Sequence, residues 1–152
     1  MNEEILIRIA KAADANSLVE FNQAMALETE GKHLDWQILK SGVEAVFNDE
    51  RKGFYAVAES SGEIVGGLMI TYEWSDWRAH WFWWIQSVYI LPEFRGRRIY
   101  SQLYDFVREK AREKSDVCGF RLYVEKENVK AQNVYKKLQM VESHYLMFEE
   151  ML

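Results

Sequence analysis

The sequence predicts an α/β domain of the α+β type, in which a mixed, mostly antiparallel and twisted sheet is flanked by helices. Short apolar segments of strand-like composition alternate with stretches in which apolar residues recur every three to four positions. Three strand segments in the middle of the chain are joined by short turns, which favours antiparallel hairpins. A helical stretch then precedes the next strand, which indicates a crossover. The predicted order is β-α-α-β-β-β-α-β-α-β, with one or two closing strands.

The first third of the chain is predicted to contain one strand and two helices. Residues 5–9 form the strand, and Asp14 is a candidate N-cap for the first helix. A break at Gly31 separates the two helices. Their inward-facing residues, at helical spacing, are Leu18, Phe21 and Met25, then Leu34, Ile38, Leu39, Val43, Val46 and Phe47.

Three strands follow over residues 54–59, 64–74 and 79–91, with polar turns between them. The third is apolar on both sides, because successive side chains on a strand point to opposite faces. We expect about half of the tryptophans in this region to lie in the core. The others can line a ligand pocket or a subunit contact. The five are Trp74, Trp77, Trp81, Trp83 and Trp84.

The remainder of the chain predicts a helix over about 97–114, a strand at 119–124, a helix at 129–138 and closing strands within 141–148. The buried stripe of the first of these helices comprises Ile99, Leu103, Phe106, Val107 and Ala111.

Length and composition restrict the class of protein. The 152 residues predict a single domain, 1–152, and the longest apolar runs are too short to cross a membrane. A net charge of -5 disfavours a nucleic-acid partner. Cys118 is the only cysteine, and no HxxxH or CxxC spacing occurs, so we expect neither a disulfide nor a metal site. With no signal-peptide pattern at the N-terminus, we expect a cytoplasmic protein.

A basic loop follows the third strand of the central region. Pro92 stops that strand, and Arg95-Gly96-Arg97-Arg98 leads directly into a helix. The first N–H groups of a helix have no partner within it and carry partial positive charge, which suits phosphate. Three arginines at that positive end would be mildly unfavourable without an anion. The loop therefore predicts a ligand that carries a diphosphate.

Two blocks of sequence, in this order, resemble the GNAT superfamily of N-acetyltransferases. The basic loop is similar to the family's Gln/Arg-x-x-Gly-x-Gly/Ala motif, with Arg95 at its first position. Arg98 and Tyr100 stand where the family prefers Gly and Gly or Ala. Residues 128–135 are similar to the family's Asn-x-x-Ala-x-x-x-Tyr helix, and Gln139 replaces the glycine of the Leu-Gly-Phe that usually follows.

The resemblance implies acetyl-CoA as the co-substrate. The loop and the first turn of its helix would surround the pyrophosphate, and the backbone of the preceding strand would pair with the pantetheine arm. Asn128 would hold that arm, although a helix N-cap is an equally compatible role. The implied cofactor residues are Val88, Tyr89, Ile90, Arg95, Gly96, Arg97, Arg98, Ile99, Tyr100, Ser101, Asn128 and Tyr135.

The resemblance also implies that Tyr135 is the catalytic acid. Acetyl transfer to an amine releases a thiolate, and a thiol of pKa about 8.5 and a phenol of pKa about 10 can exchange a proton within a short hydrogen bond. The general base does not carry over, because the family's strand glutamate corresponds to Tyr123. Glu73 and Glu28 are named as substrate-side catalytic residues, since the first two helices and the central hairpin usually form the acceptor pocket. Glu125 and His80 are further candidates for the base.

The predicted function is acetyl transfer from acetyl-CoA to a primary amine of a small molecule or peptide by direct attack. The second hypothesis is a non-catalytic acyl-CoA-binding or regulatory module, which the missing loop glycines and strand glutamate motivate. Contact between the arginine loop and nucleic acid is a weaker third hypothesis, which the acidic net charge disfavours. The resemblance also makes a homodimer a reasonable expectation.

Overall fold

A computed structural model describes residues 3–152 of the chain. They fall into two compact units, one that ends at Leu122 and one that comprises Tyr123–Leu152. The first unit carries the sheet and three helices, and the second carries one helix. The assignment of the whole chain to a single domain stays a prediction.

The first unit contains a five-stranded sheet with the order β1-β2-β3-β4-β5. The first four strands pair in antiparallel fashion, and β5 is parallel to β4 after a helical crossover. The predicted mixed, mostly antiparallel sheet flanked by helices is therefore confirmed. Its elements are β1 (Ile5–Ile9), α1 (Ala15–Glu30), α2 (Trp36–Asn48), β2 (Phe54–Ser60), β3 (Glu63–Ser75), β4 (His80–Ile90), α3 (Ile99–Glu113) and β5 (Val117–Arg121).

Helices cover the sheet with most of the apolar residues that the sequence predicts to face inward, but Leu34, which precedes α2, and Ile38 are exposed. In α3 the side chains of Ile99, Leu103 and Val107 are almost fully buried, and the helix contacts β1 to β4. A second core cluster joins α1 and α2 to the sheet. Its buried members are Ala15, Leu18, Val19, Phe21, Val43, Tyr55, Val57 and Tyr89.

The second unit contains α4 (Val129–Lys137). Residues 141–152 form neither a helix nor a strand, so the prediction of closing strands within 141–148 is wrong for this chain. A strand forms only where a neighbour shares its main-chain hydrogen bonds. Within residues 3–152 the sheet ends at β5, whose own bounds lie two or three residues earlier than the predicted 119–124.

Asp14 precedes α1 as predicted, but its carboxylate caps no amide of that helix. Asp14 itself has a helical conformation, and its carboxylate faces the preceding turn and strand. It accepts hydrogen bonds from the Lys11 amide at 2.7 Å and from both terminal nitrogens of Arg8 at 2.7 and 3.1 Å. The Arg8 guanidinium is the main reason why the pKa of Asp14 lies below its ordinary value.

We expect Asp14→Asn to lower the free energy of unfolding by about 2 kcal/mol at pH 7, because it leaves a partly buried guanidinium without its closest charged partner. Because the pKa of Asp14 is lower in the folded state than in the unfolded state, its ionised carboxylate stabilises the fold at pH values above the unfolded-state pKa. That stabilisation is lost as pH falls below the ordinary value of 3.8 and through the folded value. Urea unfolding at pH 7 and at pH 3 measures both effects. The control Asp105→Asn removes an exposed pair with Arg108 and should cost less than about 0.5 kcal/mol. Equal losses in the two variants, or a difference that persists undiminished at acid pH, would contradict the expectation.

Candidate active site

The candidate site is built on a bulge in β4. Met69 of β3 pairs with Gln86, whereas Gly67 pairs with Tyr89, so β4 has one extra residue between these pairs. Ser87 adopts a left-handed conformation with φ of 51° at this point. A bulge of this kind bends a strand and redirects the groups that follow it.

Just before the bulge, β4 leaves its other neighbour, β5. The parallel pairs with β5 run only from Trp81 to Trp84, although β4 continues to Ile90. No strand within residues 3–152 pairs with β4 on that side over residues 85–90. The segment that contains Val88, Tyr89 and Ile90 therefore presents a strand edge to which an extended, amide-bearing ligand can add.

The basic loop continues from this edge. Residues 92–94 form a single 3-10 turn, and Gly96 has a φ of 80° with no atom within 4 Å of the position that a Cβ would occupy. Arg98 also adopts a left-handed conformation, with φ of 60°, immediately before α3. The side chains at 95–98 are exposed, whereas Ile99 turns into the core. The main chain around Gly96 is thus open at the N-terminus of α3, where first-turn amides attract anions.

Arg95 connects this loop to β4 and α1. Its Nε donates to the carbonyl oxygen of Ile90 at 2.9 Å, and its guanidinium lies 5.3 Å from the centre of the Tyr89 ring. Its terminal nitrogen also pairs with Glu28 Oε2 at 2.9 Å. The Tyr89 hydroxyl donates to Glu28 Oε1 at 2.8 Å. These two donors, Tyr89 first and Arg95 second, hold the pKa of Glu28 below its ordinary value.

Sequence patterns did not predict this network. It places Glu28, Tyr89, Ile90 and Arg95 together, although α1 and β4 are far apart in the chain. We call these four residues the Glu28 network. A lowered pKa makes a carboxylate a weaker base, so the arrangement favours a positioning role for Glu28 at the end of β4. Its predicted catalytic role is untested and stays a prediction.

Glu73 belongs to a separate network on β3, β4 and β5. It accepts hydrogen bonds from Trp84 Nε1 at 2.7 Å and from Arg121 at 2.9 and 3.1 Å. The Arg121 guanidinium lies 3.7 Å from the centre of the Phe82 ring, which fixes it from the other side. The carboxylate is half-buried and held in one orientation. Its part in catalysis also stays a prediction.

Fewer tryptophans of the hairpin lie in the core than the expected half, because only Trp83 of the five is buried. Trp83 is buried, Trp84 is partly buried, and Trp77 is almost fully exposed. Trp74 and Trp81 are partly exposed and contact each other edge to face, with ring centres 5.0 Å apart.

In the second unit, α4 carries both residues of the second motif. The Asn128 Oδ1 accepts a hydrogen bond from the Ala131 amide at 3.1 Å, so Asn128 is the N-cap of α4. This cap uses the carbonyl oxygen and does not consume the hydrogens of Nδ2. Tyr135 is half-buried, and this burial raises the pKa of its hydroxyl above the ordinary value of 10.0.

Three further observations concern the described residues. Among the described residues, no three His, Cys, Asp or Glu side chains are grouped as metal ligands would be. No helix in residues 3–152 has the length and apolar character that spanning a bilayer requires. The candidate base His80 contacts the Arg78 carbonyl oxygen through Nδ1 at 2.8 Å.

Comparison with known proteins places this chain in a family. The family model described as "Acetyltransferase (GNAT) family" matches residues 15–140. The chain is 28% identical to an aminoalkylphosphonate N-acetyltransferase of Salmonella typhimurium over 130 residues, which cover 86% of this chain and 79% of that protein. The crystal structure of a "possible acetyltransferase" from Clostridium difficile 630 is 43% identical and has a TM-score of 0.91, with 99% of each chain covered. A "predicted acetyltransferase" from Clostridium acetobutylicum, crystallised with acetyl-CoA, shares the fold at 18% identity and a TM-score of 0.78, with 96% of each chain covered. The chain belongs to the GNAT family of acetyltransferases.

Proposed function

We propose that this acetyltransferase transfers the acetyl group of acetyl-CoA to a primary amine of a small molecule or peptide by direct attack. The observation that carries the proposal is the open edge of β4, which leads without interruption into a basic loop and the N-terminus of α3. In CoA, the extended pantetheine arm is followed by a pyrophosphate. In this chain, the open edge of β4 is followed by the basic loop and the N-terminus of α3, so the two orders agree.

The residues present suit this ligand. Main-chain groups of β4 over residues 88–90 offer the pairing that the amides of pantetheine need. The space around Gly96 admits phosphate oxygens close to the main chain, and Arg97 and Arg98 supply exposed positive charge beside it. Arg95 is held by the Glu28 network and would fix the loop rather than neutralise a phosphate by itself.

Acetyl-CoA supplies a thioester, and the carbonyl carbon of this group is open to attack by a neutral amine. The amine nitrogen forms a bond to that carbon while the bond between carbon and sulfur breaks. A main-chain N–H of residues 88–90 would donate a hydrogen bond to the carbonyl oxygen as its negative charge develops. Tyr135 would give its proton to the departing sulfur, and the amine would release its extra proton to a base or to water.

The acceptor is proposed only as a class. The relative from Salmonella typhimurium acts on aminoalkylphosphonates, so these amines are the first to assay. Polyamines, amino sugars, amino-acid-like amines and peptide N-termini follow. Glu28 and Glu73 are the carboxylates that we propose on the acceptor side, where each is already paired with an arginine and would position groups around the amine.

The test combines a thiol-release assay with calorimetry. Purified protein is mixed with acetyl-CoA and each amine, and free CoA thiol is followed, while CoA binding is measured separately. Turnover with at least one amine above the hydrolysis background supports the proposal. Tight CoA binding without acetyl transfer to any amine would favour the non-catalytic module. Absence of CoA binding would overturn both.

We expect Glu28→Gln to raise the KM for acetyl-CoA by about tenfold and to change kcat less than twofold. The neutral amide weakens two charge-assisted hydrogen bonds, which is worth on the order of 1.4 kcal/mol. Arg95 would then no longer be fixed across the end of β4. Steady-state kinetics with varied acetyl-CoA measures both constants, and Glu20→Gln, an exposed residue of the same helix, is the control. A large loss of kcat at unchanged KM would instead make Glu28 the general base.

A further inference from the structure

One side of β4 is only half-covered before the bulge. On the other side Trp83 is buried, and it contacts Phe120 of β5, which in turn contacts Tyr104 of α3. Successive side chains of a strand alternate, so Phe82 and Trp84 point away from α3, and both are half-buried. We call the side of the sheet that carries these two rings the Phe82 face.

The Phe82 face continues past the bulge to the open edge of β4. Gln86 and Tyr89 pair with Met69 and Gly67 of β3. Residues 67 and 69 are two positions apart and share a face, so their two partners on β4 share a face as well. A pantetheine arm that adds to β4 as a strand would lie in the plane of the sheet. Because buried Trp83 fills the α3 side, an amine would reach the thioester from the Phe82 face.

Two arginines converge on the Phe82 ring. The guanidinium of Arg121 lies 3.7 Å from the ring centre, and that of Arg78 lies 5.2 Å from it. Within residues 3–152 only Arg121 has a carboxylate partner, which is Glu73. Like charges repel, so two cations beside one carboxylate are unfavourable unless an anion joins them. A chain with a net charge of -5 thus holds a local excess of positive charge at this point.

Arg121 is held in place and still has donors to offer. Both of its hydrogen bonds to Glu73 come from Nη1, at 2.9 and 3.1 Å. No hydrogen bond within residues 3–152 engages its Nε or Nη2. These two nitrogens form an edge of the guanidinium that can bind two oxygens of a carboxylate or phosphonate side by side. The ring contact and the ion pair orient this edge in advance, so binding costs little side-chain entropy.

We propose that Arg121, with Arg78 beside it, binds an anionic group of the acceptor, so that the preferred substrates are amines that also carry a phosphonate, phosphate or carboxylate. The inference rests on the proposed function, because it names the substrate class of the same site. The oxyanion would occupy the free edge of Arg121 and offset the excess positive charge, and the amine at the other end of the substrate would face the thioester. Polyamines, which carry only positive charge, would be repelled.

The first experiment compares matched amines in the thiol-release assay. 2-Aminoethylphosphonate, β-alanine and propylamine are of similar length and differ in the charge at the end remote from the amine. We expect kcat/KM to be at least about tenfold higher for one or both anionic amines than for propylamine, and the two anionic amines show whether phosphonate or carboxylate is preferred. Equal values for all three amines, or a preference for propylamine, would overturn the proposal.

The second experiment removes the arginines one at a time. Arg121→Gln should lower kcat/KM for the better anionic amine by about tenfold, mainly through KM, and should change the value for propylamine less than twofold. Arg78→Gln, at an exposed position, should cost about threefold. Arg112→Gln, an exposed arginine of α3, is the control for lost charge and should have no effect. Equal losses for anionic and neutral amines would indicate a structural role and overturn the proposal, as would an unchanged Arg78→Gln if Arg121→Gln failed to fold.

A binding measurement distinguishes failure of this inference from failure of the proposed function. Calorimetry of 2-aminoethylphosphonate and of β-alanine in the presence of CoA requires no turnover. Binding that Arg121→Gln weakens by about tenfold would support the anion site even if no amine were acetylated, in which case only the proposed function would fail. Absence of binding, or binding that Arg121→Gln leaves unchanged, would overturn the inference, whereas acetylation of propylamine would then leave the proposed function standing.

Discussion

Tyr135→Phe should lower kcat by about 10²-fold while the affinity for acetyl-CoA, measured by calorimetry, changes less than threefold. The variant removes one hydroxyl from a half-buried position on α4 and keeps the ring. Loss of a positioned general acid costs roughly 10²- to 10⁴-fold. The lower end applies here, because a thiolate can leave with help from water more easily than an alkoxide can.

The raised pKa of Tyr135 determines the pH dependence. Burial disfavours the phenolate, so the hydroxyl keeps its proton to a pH above the ordinary value of 10.0. The rate should therefore rise with pH as the acceptor amine loses its proton, and it should not fall until the pH exceeds 10. The same raised pKa makes the phenol a weaker acid, so proton transfer from Tyr135 depends on a short hydrogen bond to the departing sulfur.

Rate profiles of wild type and Tyr135→Phe between pH 6 and pH 10 test both statements. The variant should keep the rise that the amine causes, at a rate about 10²-fold lower throughout this range. Tyr145→Phe, an exposed tyrosine outside α4, is the control and should leave kcat unchanged. Full turnover by Tyr135→Phe on the best amine would remove the tyrosine from the mechanism, and an alkaline decline that begins near pH 8 would assign the acid to another group.

The sequence predicted the parts of the site that depend on local signals. Pro92 and Gly96 mark where β4 ends and where the backbone must turn, so the loop and the start of α3 could be located. The Glu28 network could not be found in this way. It depends on tertiary packing of α1 against the end of β4, and no spacing rule connects residues that are 61 and 67 positions apart.

Two departures from the family motifs have a common physical explanation. Arg98 and Gln139 stand where the resemblance expects glycine, and both adopt left-handed conformations with φ of 60° and 68°. Both residues thus adopt a conformation that glycine takes without strain, at a cost of about 1 kcal/mol at each position. Sequence alone shows that glycine is missing from these motifs, whereas the structure shows that both positions have a left-handed conformation that suits glycine.

The predicted closing strands failed for a different reason. Local propensity at 145–148 favours a strand, but a strand also needs a neighbour, and propensity carries no information about whether a neighbour is present. Asp14 shows the same limit on a smaller scale. Its position before α1 was predicted, whereas its ion pair with Arg8 depends on where β1 lies.

Gly53→Ala should lower the free energy of unfolding by about 3–5 kcal/mol. Gly53 precedes β2 with φ of 131°, a conformation that other residues rarely adopt. A Cβ there would lie 1.9 Å from the carbonyl oxygen of Ile70 and 3.3 Å from the Cα of Thr71. Both atoms belong to the backbone of β3, so no side chain can rotate away. The two strands would have to separate where Phe54 pairs with Ile70.

Two other glycines show how much of the expected loss in free energy of unfolding comes from backbone conformation and how much from steric overlap. Gly31 has φ of 63° but no atom within 4 Å of its Cβ position, so Gly31→Ala should cost about 1 kcal/mol. Gly42 lies within α2 with equally open space and ordinary helical φ, so Gly42→Ala should stabilise the chain by roughly 0.5–1 kcal/mol. Urea unfolding of the three variants gives the order directly. If Gly53→Ala cost no more than Gly31→Ala, β2 and β3 would have to be less closely packed at this point than the structure shows, because conformation alone would then account for the loss.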